Sequence, residues 1–293
     1  MAAKLVIGCG YLGSRVAQAW VGQGHSVCAL TRRAGRAGHL RQLGIQPIQG
    51  DWNEPESLPI FPTVDGVFCS VGWDRSSGRT IQQTYVDGLV NLLRALPDGV
   101  RRIVYVSSTG VYGTAYGRWV DEQSVCTPTR AGGRACLDAE RQLAASRFAD
   151  RSVVLRLAGI YGPGRLPRLR LLVAGEPLPT DPNGLLNLIH VDDAARVALR
   201  AADFPFDHLP ITLLVADGHP VRRHDFYAEL ARLYGVAAPR FSQFDPDRPG
   251  ARHAGGSKRV TNRRLLETLG MSLTYTSYRT GLAAIARTSG SAG

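Results

Sequence analysis

Short apolar runs alternate with amphipathic stretches along the first two-thirds of the chain. The run KLVIG, from Lys4 to Gly8, is continuous and brief, as expected of a strand buried on both faces. In LGSRVAQAWVGQG, Leu12, Val16, Ala19, Trp20 and Val21 recur at helical intervals, and Gly24 suits the stop. SVCAL predicts a second strand, HLRQLG a short helix, and IQPIQGD a third strand ending at Asp51. VDGVFCSVG predicts a fourth strand, IQQTYVDGLVNLLRALP a helix and RRIVYVSST a fifth strand. CLDAERQLAAS then predicts a helix, and SVVLRLAGIYG a single sixth strand. This alternation implies right-handed crossovers and a Rossmann-type, doubly wound parallel sheet in an α/β fold.

The pattern changes after Tyr161. GPGRLPRL and AGEPLPTDPNG are dense in turn formers, LNLIHVDDAARVALRAA returns to strand and helix, and ITLLVAD is a further strand. Beyond Val221 the periodicity is helical, in RRHDFYAELARLYG, TNRRLLETLG and SYRTGLAAIAR. The expected organisation is a dinucleotide-binding domain over residues 1–165, to which 188–216 returns, and a smaller, mainly helical lobe over 166–293. FSQFDPDRPGARHAGGSKR reads as a loop, and the closing TSGSAG as a frayed end.

Composition narrows the classes. The net charge is +11, but the basic residues are scattered, and only Lys4 and Lys258 are lysines. No nucleic-acid motif occurs, so the charge is assigned to a solvated arginine-rich surface or to attraction of a phosphorylated ligand, and no nucleic-acid partner is expected. No apolar run reaches the roughly 18 residues of a membrane span, and MAAKLVIGCG lacks the parts of a signal peptide. The five cysteines are odd in number and form no CxxC. Reduced thiols in a cytoplasmic protein, with no disulfide framework and no metal, follow.

GCGYLG sets Gly8, Gly10 and Gly13 in a GxGxxG pattern, with Tyr11 and Leu12 between them, at a strand–turn–helix junction. The glycines provide a tight turn, a close backbone approach to a pyrophosphate and helix–strand packing, and the helix N-terminus supplies amide donors. An NAD site carries Asp or Glu at the end of the second strand; this chain has Thr31, Arg32 and Arg33. Two guanidiniums suit a 2′-phosphate, so NADP(H) is expected over NAD(H), the competing assignment being solvated loop charges. Asp51 and Trp52 are placed toward the adenine, although Asp51 also suits a cap. Ser70, Val71 and Gly72, with Ser107, are placed toward pyrophosphate and ribose, because ligands lie beyond the carboxyl ends of the strands.

GCGYLG, GDW, VYVSSTGVYG, LRLAGIYGPGR and NLIHVDDAA occur in an order that resembles the extended short-chain dehydrogenases/reductases, the NAD-dependent epimerase/dehydratase family. The resemblance spans roughly Lys4 to Arg200 and weakens beyond, where KRVTNRRLLETLG and SYRTGLAAIA still resemble that family's C-terminal lobe. It implies a catalytic serine, a tyrosine acid/base and a lysine four residues after it, the last two on one helix face. Ser108 matches the serine and Glu140 a family glutamate, which puts the tyrosine slot at Gly132 and the lysine slot at Cys136. None of the ten tyrosines has a lysine four residues later, so the chain is an atypical member lacking YxxxK.

Three functions compete. The first is an NADP(H)-dependent oxidoreductase on an unknown small carbonyl or hydroxyl compound, with a relocated proton donor. Ser108 and Tyr112 lead the candidates, followed by Thr109, Cys136, Tyr161 and His190. The second is a catalytically inert dinucleotide-binding protein, sensing redox state or serving as a scaffold. The third is a nucleotide-sugar epimerase or dehydratase, which the missing tyrosine opposes. Arg134, Arg165, Arg168 and Arg170 are candidates for an anionic substrate group or for solvated surface. From the resemblance, a homodimer through residues 86–93 and 137–143 is expected.

Overall fold

The computed structural model describes residues 3–242 and 257–290. Most of the expected loop between Phe241 and Arg259, and the last three residues, lie outside them. Contacts divide the chain into one unit of Met1–Val111, Pro128–Arg156 and Ala194–Leu213, and a second of Tyr112–Thr127, Leu157–Asp193 and Leu214–Gly293. The chain thus returns to the first unit twice, at Pro128 and at Ala194.

The first unit is built on a sheet of seven strands: β1 (Ala3–Ile7), β2 (Ser26–Thr31), β3 (Gln46–Gln49), β4 (Gly66–Cys69), β5 (Arg102–Ser108), β6 (Ser152–Leu157) and β7 (Ile211–Val215). Leu157 and the end of β7 count with the second unit. The order is β7-β6-β5-β4-β1-β2-β3. β1 pairs in parallel with both β2 and β4, so the chain winds outward in both directions from the β1/β4 boundary. Every residue of β4 and β6 is buried, which is why these strands read as continuous runs rather than alternations.

Four helices follow these strands. α1 (Gly13–Gly22) buries Val16, Ala17 and Trp20. α2 (Ala34–Gln42) buries only Leu40 and starts before the expected HLRQLG, in a stretch with no apolar stripe to announce it. α3 (Gly88–Ala95) is preceded by a π-helical turn over Gln83–Asp87, where the sequence predicts one unbroken helix. α4 (Ala131–Ala144) starts five residues before the expected Cys136. Adjacent glycines argue against helix by propensity, and packing overrides them. A Cβ on Gly133 would lie 2.4 Å from the carbonyl oxygen of Gly110, so only glycine lets this turn approach the end of β5.

The second unit holds α5 (Leu169–Val173), the first turn of α6 (Val191–Asp203), α7 (Arg223–Tyr234), α8 (Arg263–Leu269) and α9 (Tyr278–Gly290). Its core packs Phe226 and Leu230 of α7 against Tyr278, Leu282 and Ile285 of α9. The expected single strand SVVLRLAGIYG is in fact two. β6 ends at Leu157, and Gly159–Tyr161 pairs in parallel with Leu188–His190 instead. A Cβ on Gly159 would come within 3.2 Å of the Asn187 carbonyl, so glycine eases the approach of the new partner. No described helix is long and apolar enough to cross a membrane.

Candidate dinucleotide site

The turn from β1 into α1 lies at the boundary where the winding direction reverses. Gly8 has φ +86°, and a Cβ there would sit 2.7 Å from the backbone of Ser70 and Val71. A Cβ on Gly13 would sit 2.2 Å from the Gly8 carbonyl oxygen. These two glycines let the loop lie flat on the end of β4, where Ser70 Oγ donates to the Gly8 carbonyl at 3.0 Å. Gly10 differs, because a Cβ there would meet nothing within 4 Å. It faces open space at the N-terminus of α1. Leu12, at the N-cap, gives that end no side-chain cap, and the first turn holds no acidic residue. Uncapped amides beside an open glycine fit a pyrophosphate. Tyr11 is half-buried with the Arg15 guanidinium 4.5 Å from its ring centre. Arg36 of α2, absent from the sequence expectation, donates to the Cys9 carbonyl and lies 3.5 Å from Ser14 Oγ. Its position 27 residues away in sequence hid it.

At the end of β2, Thr31 is buried and its Oγ1 accepts from the Arg33 amide at 3.3 Å. Arg32 and Arg33 converge on one oxygen of Asp74, at 2.5 and 3.2 Å. Asp74 follows β4, and sequence reading gave no sign of it. Hydrogen bonds from Ser76, then the two guanidiniums, hold its carboxyl below the usual range. Asp51 accepts from the Asn53 amide at 3.0 Å and side chain at 2.9 Å, the turn-capping role. Trp52 corrects its assignment: the residue is 4 % exposed and packs where a Cβ on Gly88 would be 2.7 Å from its ring, so its side chain is turned into the core and not toward an adenine. Val71 is partly buried against the same core, and Gly72 is open, since a Cβ there would meet nothing within 4 Å.

Beyond β5 the polar side chains turn inward. Ser107 Oγ donates to Glu140 Oε1 at 2.5 Å, and Arg156 Nη2 donates to Glu140 Oε2 at 2.6 Å, all three residues being buried. The Ser107 side chain thus belongs to this network and not to a cofactor contact, a second correction. Ser108 is half-buried, and its Oγ accepts from the Gly110 amide at 3.0 Å. The tyrosine slot is open: a Cβ on Gly132 would meet only Ile81 Cδ1, at 3.4 Å. In the lysine slot, burial pushes the Cys136 thiol up to about 12, so it is neither an acid nor a nucleophile near neutrality.

The remaining donors also change. Tyr112 is 2 % exposed, which removes it as a phenol that solvent or substrate can reach. Tyr161 is fully buried, and burial raises its phenol. His190 is 1 % exposed with its ring centre 3.9 Å from that of Tyr275, a packing role. Thr109 is buried as well. Tyr85 was missed by sequence reading. It lies in the π-helical turn, one helical turn after Ile81, half-buried, and its hydroxyl accepts from the Trp73 amide at 3.2 Å. That amide belongs to the loop after β4, on the ligand side of the sheet. Arg134 donates to the Thr129 carbonyl at 2.9 Å, while Arg165, Arg168 and Arg170 belong to the second unit.

A glycine loop at the reversal point of a seven-stranded doubly wound sheet defines a dinucleotide-binding protein. The NAD dependent epimerase/dehydratase family model matches residues 5–211, and the chain belongs to that family. Protein YeeZ of Escherichia coli (strain K12) is 32 % identical over 182 residues, 62 % of this chain and 61 % of YeeZ. The match thus spans about three-fifths of that relative's length. A conserved protein of unknown function from Silicibacter pomeroyi superposes with a TM-score of 0.81 at 31 % identity, covering 98 % of this chain and 99 % of its own. MoeE5, in complex with UDP-glucose and NAD, superposes with a TM-score of 0.79 at 25 % identity, covering 99 % of this chain and 100 % of its own.

Proposed function

We infer that this protein is an NADP(H)-dependent oxidoreductase of the epimerase/dehydratase family, acting on a small carbonyl or hydroxyl compound without the tyrosine–lysine pair. The carrying observation is the end of β2, where two adjacent guanidiniums stand and β2 itself contributes no carboxylate. The nicotinamide supplies the hydride when the cofactor is bound. The amides at the start of α1 hold the pyrophosphate, and Arg32 and Arg33 take the 2′-phosphate. Ser108, half-buried at the end of β5, donates to the substrate oxygen. Tyr85 replaces Tyr112 as the proton source, since it is the half-buried phenol beside α4 and the β4 loop. The setting is the cytoplasm, and the protein pairs with itself through α3 and α4.

Titration calorimetry with NADPH and NADH tests the cofactor. Replacing Arg32 and Arg33 by Ala should weaken NADPH about 10- to 100-fold and NADH little, by the loss of charge-assisted contacts. Equal losses would remove the assignment. A carbonyl panel followed by NADPH absorbance then tests turnover, and Tyr85→Phe should lower kcat about 100-fold or more if its phenol delivers the proton. A second reading, an inert dinucleotide binder, is favoured by the open Gly132 slot and the neutral Cys136 thiol. Tight NADPH binding with no turnover across the panel would select it.

A further inference from the structure

The two arginines at the end of β2 are not waiting in solvent. Arg32 Nη2 and Arg33 Nη2 both donate to Asp74 Oδ2, at 2.5 and 3.2 Å. The other oxygen, Oδ1, is fixed by the Ser76 amide at 3.0 Å and the Ser76 hydroxyl at 2.6 Å. The carboxylate is therefore aimed by its own turn, with one oxygen anchored and one presented to both guanidiniums. The Arg32 backbone is held in turn by Gln49 Nε2, which donates to its carbonyl at 3.2 Å. The side chains of Arg32, Arg33 and Asp74 are 34 %, 68 % and 31 % exposed, so an incoming anion can reach the cluster.

Resting on the NADP(H) reading above, we propose that Asp74 is a specificity-determining residue: a built-in carboxylate that occupies the phosphate-reading arginines and that a 2′-phosphate must displace. A phosphate monoester carries up to two charges and three oxygens, whereas the carboxylate brings one charge and one free oxygen. Phosphate therefore wins the competition, but at reduced net affinity. A ribose hydroxyl carries no charge and displaces nothing, so NAD(H) binds with the arginine–carboxylate cluster intact. Asp74 thus lowers affinity for NADP(H) selectively. It also gives the arginines a partner to return to as an oxidised or reduced cofactor leaves.

The test is titration calorimetry of the wild-type protein and Asp74→Asn with NADP+, NAD+, 2′,5′-ADP and 5′-AMP. The asparagine keeps an oxygen for Ser76 and loses the charge. The expected result is a rise of about three- to tenfold in affinity for NADP+ and 2′,5′-ADP, with NAD+ and 5′-AMP unchanged. Ser76→Ala, which removes the hydroxyl and leaves only the backbone amide on the anchored oxygen, should give a smaller rise with the same selectivity. If the wild-type protein prefers NADP+ and Asp74→Asn binds it no better, or binds all four ligands better, the competitor role is overturned and the arginine assignment stands. If neither protein distinguishes NADP+ from NAD+, the arginines do not read the phosphate, and both proposals fall.

Discussion

The loop after β1 and the junction of β5 with α4 are built alike and do different things. Each rests on a glycine pressed against a backbone carbonyl: Gly13 on Gly8 at 2.2 Å and Gly133 on Gly110 at 2.4 Å, measured from the Cβ each lacks. Around the first, backbone amides face open space and arginines gather. Around the second, polar side chains seal inward, through Ser107, Glu140 and Arg156, and the outer position at Gly132 stands empty. Binding that depends on backbone shape is retained together with the fold. The helix of the second region stands with Gly132 and Cys136 at the two positions where side-chain chemistry was expected.

The first ways to break this contrast have the largest expected effects. Gly10→Asp places a carboxylate where the pyrophosphate belongs, without touching a neighbour, so dinucleotide affinity should fall about 100-fold or more while the melting temperature holds. A matched loss of stability would show that the open face is structural. Arg156→Ala should do the reverse. Leaving Glu140 buried without its guanidinium should cost about 3–5 kcal/mol by urea denaturation, with dinucleotide affinity per folded molecule unchanged.

Two substitutions at neighbouring positions sharpen the comparison further. Gly133→Ala must push Gly110 away and should destabilise by about 1–3 kcal/mol. A buried carboxyl, Asp217, sets a similar scale in the second unit. Its Oδ1 accepts from the His219 amide at 2.9 Å, its Oδ2 has no hydrogen-bond partner among the described residues, and burial raises the carboxyl to about 7. Between its ordinary value of 3.8 and about 7, the unfolded chain ionises while the folded one keeps the proton. Stability therefore falls as pH rises through that window and is level above it. Asp217→Asn should flatten that slope in melting curves and stabilise by roughly 1–3 kcal/mol at pH 8. Gly132→Ala has the smallest effect, a gain of a few tenths of a kcal/mol from helix propensity at an uncrowded site. Any large loss there would mean the slot is not open.

Much of this was legible in the chain. GCGYLG declares itself because the turn demands glycine at fixed intervals, and the apolar run of β2 announces the strand end at which Arg32 and Arg33 stand. What stayed hidden came from distance or from ambiguity. Asp74 stands 42 residues from Arg32, in a loop with no periodicity to place it. Gly132 and Gly133 look identical in sequence, yet one is open and the other cannot carry a methyl group. Trp52 follows a strand at a ligand-facing edge, but its size and Gly88 draw it into the core. The run through Ala158 is apolar on both sides of a change of partner, and hydropathy does not record partners.

The scarcity of lysine has a practical consequence. Of 35 basic side chains only two are lysines, and both are enclosed, Lys4 at 6 % and Lys258 at 8 % exposure. Lys4 is held by Asp65 and Asp203, at 3.4 and 3.6 Å, and Lys258 donates to the Gly113 carbonyl at 3.1 Å. Amine-seeking acylating reagents and cross-linkers will find almost no side chain to attack on the folded protein. Labelling that does appear at either lysine therefore reports local opening, which makes the pair a built-in probe of unfolding.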